Sequence, residues 1–235
     1  MSGLNILSGG AAQGLVASLA PDFKALTGFD IAGEFGAVGA MADKLRKGTP
    51  TDIVILTAKI IADLAGENVV VAASIADVGM VETAIAVRAG DSLVAVKDAA
   101  TLREAFLAAD AIFVPDTKVS TAGIHVAKIL QQLGIADAVE ARLKIYPNGA
   151  TAMRDLAASE AARPIGCTQS TEIISTPGVV LSGPLPPGCD LATMYTAAVT
   201  ARAASAKQAE ALIDLLTAAG QRERRERAGF ISAPK

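Results

Sequence analysis

The chain has no tryptophan, one histidine, two cysteines and eight aromatic residues in 235 positions. Each shortage removes a class of function. Stacking of bases or sugars needs rings, and 3% aromatic content supplies no such surface. A formal net charge of −3 gives no electrostatic footprint for nucleic acid. One His and two Cys cannot fill the four positions of a zinc-type site, so no metal centre is expected. The longest apolar run, residues 69–76, is far too short to span a bilayer. The opening Met1-Ser2-Gly3 has neither a basic n-region nor a long apolar h-region. As written, the chain is expected in the cytoplasm, and in the periplasm if a leader has been removed. With one pair of cysteines, Cys167 and Cys189, free thiols are expected rather than a bridge.

What is present is alanine, 49 residues of it, in a sequence that is 51% apolar and 19% charged. That balance is globular rather than disordered, and the length suits two lobes of about 100 to 150 residues each.

Short β-type runs alternate with helical runs, the signature of βα units and a mainly parallel sheet. Strands are expected over 4–7, 30–35, 52–56, 111–114, 143–146 and 165–169. Residues 80–88 and 92–96 look extended but lack the βα rhythm. The helical runs are 11–26, with Leu15, Leu19, Phe23 and Leu26 at helical spacing, then one ending at Gly48 and another capped by Thr57. Further runs cover 124–133, a stretch ending near 161, and 206–219. Residues 179–187 carry three prolines and read as a connection rather than a central strand. The break near 80–90 and the return near 184–191 read as two crossings of a hinge. The expected division is 1–82 plus 190–235 as lobe I and 83–189 as lobe II.

Four loops share one design, in which a strand ends and small or hydroxyl residues open a helix. They are Ser8-Gly9-Gly10-Ala11, Gly36-Ala37-Val38-Gly39, Ser120-Thr121-Ala122-Gly123 and Asn148-Gly149-Ala150-Thr151. Helix N-termini present unpaired N–H groups and a positive dipole end, which suits an anion. Glycine and alanine let a ligand approach the backbone, and Ser8, Ser120 and Thr121 offer hydroxyls. In parallel α/β sheets ligands sit at the carboxyl ends of the strands, where these loops lie. With two loops per lobe, the expectation is a small anion gripped in the interlobe cleft. The first loop also invites comparison with a dinucleotide fingerprint, but it reads G-G-x-x-x-G where G-x-G-x-x-G is required.

The order of motifs resembles the molybdate-binding branch of type II periplasmic substrate-binding proteins. The resemblance rests on Ser8-Gly9-Gly10, on Leu45-x-x-Gly48-x-Pro50-x-Asp52-Ile53-Val54-Ile55, and on Ala86-Val87-Arg88-Ala89-Gly90. It continues through Ala122-Gly123-Ile124-His125, the Pro-rich 179–187 stretch and the closing Ala228-Gly229-Phe230, and so covers nearly the whole chain. It implies a two-lobed type II α/β fold, each lobe a mainly parallel sheet flanked by helices, and a monomer that hands a small anion to a membrane permease when exported. By the same resemblance, Ser8, the 36–39 loop, Ala122 and the Asn148–Gly149 turn match oxyanion-contacting loops. Cys167 falls where molybdate binders place a tyrosine, and the second loop lacks the usual serine. In these respects the chain resembles a sub-branch that includes aconitate isomerase-like proteins, and 165–172 is similar to their segment at this place.

Two functions therefore compete: passive binding of an oxyanion or small di- or tricarboxylate, and proton-shifting isomerisation of an unsaturated polycarboxylate. The second needs no metal or organic cofactor, only a base and donors for the developing charge. Candidate bases are Glu172, His125 and Cys167, each of which also has an ordinary reading as helix-entry acid, packed imidazole or buried thiol. Thr168 and Gln169 are candidate hydrogen-bond partners for a carboxylate. Arg88 and Lys118 are candidate counter-charges. The run Arg222–Arg227 reads as a solvated face laced with ion pairs.

Overall fold

The computed structural model describes residues 3–232, so the Met1-Ser2 opening lies outside the described residues. The chain divides into two compact units, Met1–Val81 with Thr193–Lys235, and Glu82–Ala192.

The first unit starts with β1 (Gly3–Gly9), α1 (Gln13–Thr27), β2 (Asp30–Gly36), α2 (Val38–Arg46), β3 (Ile53–Thr57) and α3 (Ala58–Gly66). A single 3-10 turn, Gly10–Ala12, separates β1 from α1, so the expected helix from residue 11 is regular only from Gln13. β1 pairs in parallel with both β2 and β3. Every residue of β3 is buried, as its unbroken apolar run requires of an inner strand. Leu15, Leu19 and Phe23 turn into the core, whereas Leu26 is 66% exposed. The helical spacing is right, but Leu26 lies one residue from the helix end, beyond the covered stripe.

β4 (Ala76–Arg88) carries the chain across the division at residues 81 and 82. The second unit continues with α4 (Ala99–Ala108), β5 (Ala111–Pro115), α5 (Thr121–Gln132), α6 (Ala136–Val139), β6 (Leu143–Tyr146), α7 (Gly149–Ala157), β7 (Pro164–Gln169), α8 (Ser170–Ile174) and β8 (Val179–Pro184). β5 pairs in parallel with β6 and β7, and β7 pairs antiparallel with β4. β8 pairs antiparallel with the other side of β4. The 179–187 stretch is thus a strand and not only a connection. Its prolines are tolerated because Pro184 closes the strand and Pro186 and Pro187 lie beyond it. Residues 92–96 join no ladder; the Val94 N–H and C=O are taken by the Ser182 hydroxyl instead.

The first unit is completed by β9 (Ala192–Val199), which pairs antiparallel with β3, then α9 (Ala206–Thr217) and α10 (Arg222–Arg227). The α10 run is a short helix of its own rather than the tail of α9. Arg222 pairs with Glu226 and Arg224 with Asp22, while Arg225 donates to the carbonyls of Leu216 and Ala218.

The sheet of the second unit has two dissimilar faces, set by the two-residue period of its strands. Ile85, Ile112, Val114, Ile165 and Cys167 form one face, covered by Leu102 and Phe106 of α4 and by Val126, Ile129 and Leu130 of α5. Ala84, Ala86, Ala111 and Phe113 form the other, covered by Ala152, Met153 and Leu156 of α7. This division decides which side of the site each residue of β7 can serve.

Candidate functional site

In the second unit three parallel strands end side by side, and each is followed by a helix start: β5 by α5, β6 by α7, β7 by α8. The three starts are not equivalent.

The start of α7 is filled from within. Asn148 caps the helix, its Oδ1 accepting from the Thr151 N–H at 2.8 Å. The Thr168 hydroxyl donates to Oε2 of Glu172 at 2.6 Å, and the backbone N–H groups of Gln169, Ala150 and Gly149 face the same carboxyl and favour its charged form. Glu172 is the third residue of α8 and Gln169 its N-cap. Glu172 is 5% exposed. Burial pushes its carboxyl above the usual carboxylate range, while those hydrogen bonds hold it down by a smaller amount. Gly149 and Thr168, expected as ligand contacts, thus lie around the protein's own Glu172 carboxyl, while the Asn148 side chain caps α7.

The start of α5 has no side chain bonded across it in this way. Its N-cap Ser120 is 9% exposed and makes no side-chain cap. Thr121 is half-buried; Ala122 and Gly123 are buried. A β-carbon on Gly123 would meet the Asp116 carbonyl oxygen at 2.1 Å, so only glycine lets this first turn sit on the end of β5. The helix begins at Thr121, three residues before the expected 124, because loop residues with small side chains enter the first turn.

Gln169 ends β7. By the strand period it shares the α5 side of the sheet with Ile165 and Cys167, opposite Thr168. It is 3% exposed, and neither its Nε2 nor its Oε1 has a hydrogen-bond partner among the described residues. Its cross-strand partner is Thr83, 1% exposed, whose hydroxyl is likewise unpartnered. Thr171, 2% exposed, repeats the pattern. Native proteins leave few buried polar groups unpaired, so three such residues around the passage from β7 into α8 call for a cause. Helix capping does not provide it. Gln169 stands at an N-cap, where Ser, Thr, Asp and Asn are favoured, and caps nothing.

In the first unit β1, β2 and β3 also end side by side. The Gly10–Ala12 turn, α2 and α3 follow them directly. The Ser8 hydroxyl, fully buried, donates to the Gly9 carbonyl at 2.9 Å. A β-carbon on Gly9 would lie 2.8 Å from both Tyr195 Cε1 and Val38 Cγ1, which shows how tightly this turn packs with α2 and β9. The expected 36–39 loop is shorter than it reads. Ala37 is the N-cap, Val38 and Gly39 already belong to α2, and Ala37 and Val38 are buried side chains. At the start of α3, Thr57 Oγ1 accepts from the Ile60 N–H at 3.5 Å.

The other expected residues are engaged elsewhere. Cys167 is completely buried in the α4–α5 core, and burial pushes its thiol up to about 12. Cys189 is also free and buried. His125 lies in the second turn of α5, and its Nε2 contacts the Cys189 carbonyl at 2.8 Å. Arg88 is held by the carbonyls of Ser159 and Ala161 and by Asp91. Lys118 is exposed. Among the described residues the buried charged side chains are Asp52 and Glu172, both acidic. An anion held in these interiors must therefore be held by neutral donors. No cluster of three or more His, Cys, Asp or Glu that could hold a metal ion occurs among the described residues. No helix there is long and apolar enough to cross a membrane. Sequence reasoning missed Thr83 and Thr171. The β4–β7 register that sets Thr83 opposite Gln169 leaves no mark in local sequence.

The fold is that of the type II periplasmic binding proteins. The chain is similar to the periplasmic molybdate-binding protein of Azotobacter vinelandii (17% identity, TM-score 0.82, 99% of this chain and 100% of that one). It is also similar to the sulfate-binding protein SubI of Mycobacterium tuberculosis H37Rv (18% identity, TM-score 0.75, 98% and 86%). Among curated proteins it is 24% identical to an aconitate isomerase of a Pseudomonas species over 98% of this chain and 88% of that protein. The family model for bacterial extracellular solute-binding proteins matches residues 4–231, and the chain belongs to that family.

Proposed function

We propose that the protein is a solute-binding protein for a small oxyanion or carboxylate, held through backbone N–H groups, hydroxyls and an amide. The observation that carries this reading is Gln169, a buried amide without partners on the sheet face where α5 packs with its N-terminus uncapped. The Ser8–Gly10 turn of the first unit offers the same small residues and hydroxyl chemistry. The family match and the molybdate- and sulfate-binding neighbours support an anion as the ligand. In this reading the protein works as a monomer outside the cytoplasm, delivers its ligand to an ABC-type permease and does not engage nucleic acid. A thermal-shift screen of molybdate, sulfate and small mono-, di- and tricarboxylates tests it. A dose-dependent rise in Tm with at least one anion is expected, and no rise with any of them removes the anion site.

A second reading, cofactor-independent isomerisation of an unsaturated polycarboxylate, is favoured by the likeness to aconitate isomerase. The engagement of its three candidate bases weighs against it. Cys167 is sealed in the core, Glu172 is filled with hydrogen bonds, and His125 Nε2 is tied to a carbonyl. Incubation with cis-aconitate followed by proton NMR decides between them: the binder leaves the substrate unchanged, and accumulation of the trans isomer establishes the enzyme.

A further inference from the structure

Resting on that reading of the site, we propose that Thr83, Gln169 and Thr171 select a ligand carrying a hydrogen-bond donor as well as acceptors. The class is a hydroxy-carboxylate, in preference to a fully deprotonated tetrahedral oxyanion.

The selectivity follows from the donors and acceptors these side chains carry. The Gln169 amide brings two N–H donors and a carbonyl acceptor, and each threonine hydroxyl brings one donor and acceptor capacity. All of these groups are buried and unpartnered. An oxyanion without protons can only accept. It satisfies Nε2 and the hydroxyl hydrogens but leaves Oε1 unpaired, and sealing a bare carbonyl away from water is costly. A hydroxy-carboxylate completes the set, its carboxylate accepting from Nε2 and a threonine hydroxyl while its own O–H donates to Oε1. Because both ends of the amide are unpartnered, the result does not depend on which end is assigned oxygen.

The surroundings point the same way. Thr83 is fixed opposite Gln169 by the strand register, and Thr171 stands two residues on, in the first turn of α8, so the three polar residues lie where β7 passes into α8. The nearest buried carboxyl in sequence, Glu172, is engaged by the Thr168 hydroxyl and faces the N–H groups of Gln169, Ala150 and Gly149. Oε1 of Gln169 is thus the acceptor left for a ligand hydroxyl. A site built to bond a hydroxyl discriminates strongly against the analogue lacking it, because its own polar groups are then stranded.

Calorimetric titration of the full chain with matched pairs provides the test: glycolate and acetate, L-lactate and propionate, L-malate and succinate, citrate and tricarballylate, with sulfate and molybdate alongside. In at least one pair the hydroxy acid is expected to bind at least about tenfold more tightly than its deoxy partner and than either oxyanion. Gln169→Met should collapse that ratio toward one. Thr171→Val repeats the test should Gln169→Met not fold. Sulfate or molybdate binding as tightly as every hydroxy acid, or a hydroxyl preference that survives both substitutions, overturns the inference and leaves the anion site standing. Silence of the whole panel overturns both.

Discussion

A β-carbon on Gly149 would stand 1.9 Å from Oε2 of Glu172 and 2.2 Å from Oγ1 of Thr168. The first residue of α7 is therefore glycine because a carboxyl from α8 occupies the space a side chain would need. Gly149→Ala is expected to destabilise the fold by about 1–3 kcal/mol, the usual cost of overpacking. Urea unfolding measures it. A change below about 0.5 kcal/mol, the range of a neutral surface substitution, would show that the carboxyl is not seated there.

The buried carboxyl also sets a pH dependence. The folded state raises the Glu172 pKa, so it holds the proton more tightly than the unfolded chain, whose Glu titrates near about 4.3. Where the native state binds more protons, stability falls as pH rises. The contribution is intact below the unfolded value and is lost as pH climbs through the raised folded one. Glu172→Gln removes this titration. The stability of the wild type relative to that variant is expected to decline from acid to neutral pH in a series of unfolding curves. A difference that stays flat or grows with pH would contradict the shift.

Neither cysteine is expected to react with a thiol reagent in the native protein, since both are buried and burial raises both thiol pKa values, Cys167 to about 12. Two equivalents should appear only on unfolding. Rapid native labelling of Cys167 would contradict its place in the core and reopen its candidacy as a base.

His125→Ala should cost about 1 kcal/mol through loss of the bond to the Cys189 carbonyl. Affinity for the bound anion should change less than about twofold, well under the loss expected of a ligand-contacting group. A large loss of affinity with unchanged stability would make the imidazole a ligand contact.

Much of this arrangement was legible in sequence. The strand runs, the small-residue helix entries and the order of motifs are local or collinear properties, and so is the fully buried β3. What escaped is set by pairing between distant segments. Residues 179–184 became a strand because β4 had a free side, which no local pattern announces. The four helix entries look alike in sequence, yet α7 is plugged by a residue 23 positions on while the α5 N-cap makes no side-chain bond. Cys167 and Gln169 both looked like site residues. The strand period puts both on the α5 side, but only Gln169 stands at the strand end; Cys167, two residues back, is core.

In the proposed site the uncapped start of α5 takes the ligand's negative charge alongside Gln169. Ser120→Asp tests it most directly, because a carboxylate at the N-cap would itself occupy the positive end of α5. The variant is expected to gain about 0.5–1 kcal/mol in unfolding free energy, since aspartate is a favourable N-cap at the positive end of a helix. Calorimetry should at the same time show its affinity for the anion falling by at least about tenfold. A stabilised variant that binds as tightly as the wild type would contradict the account.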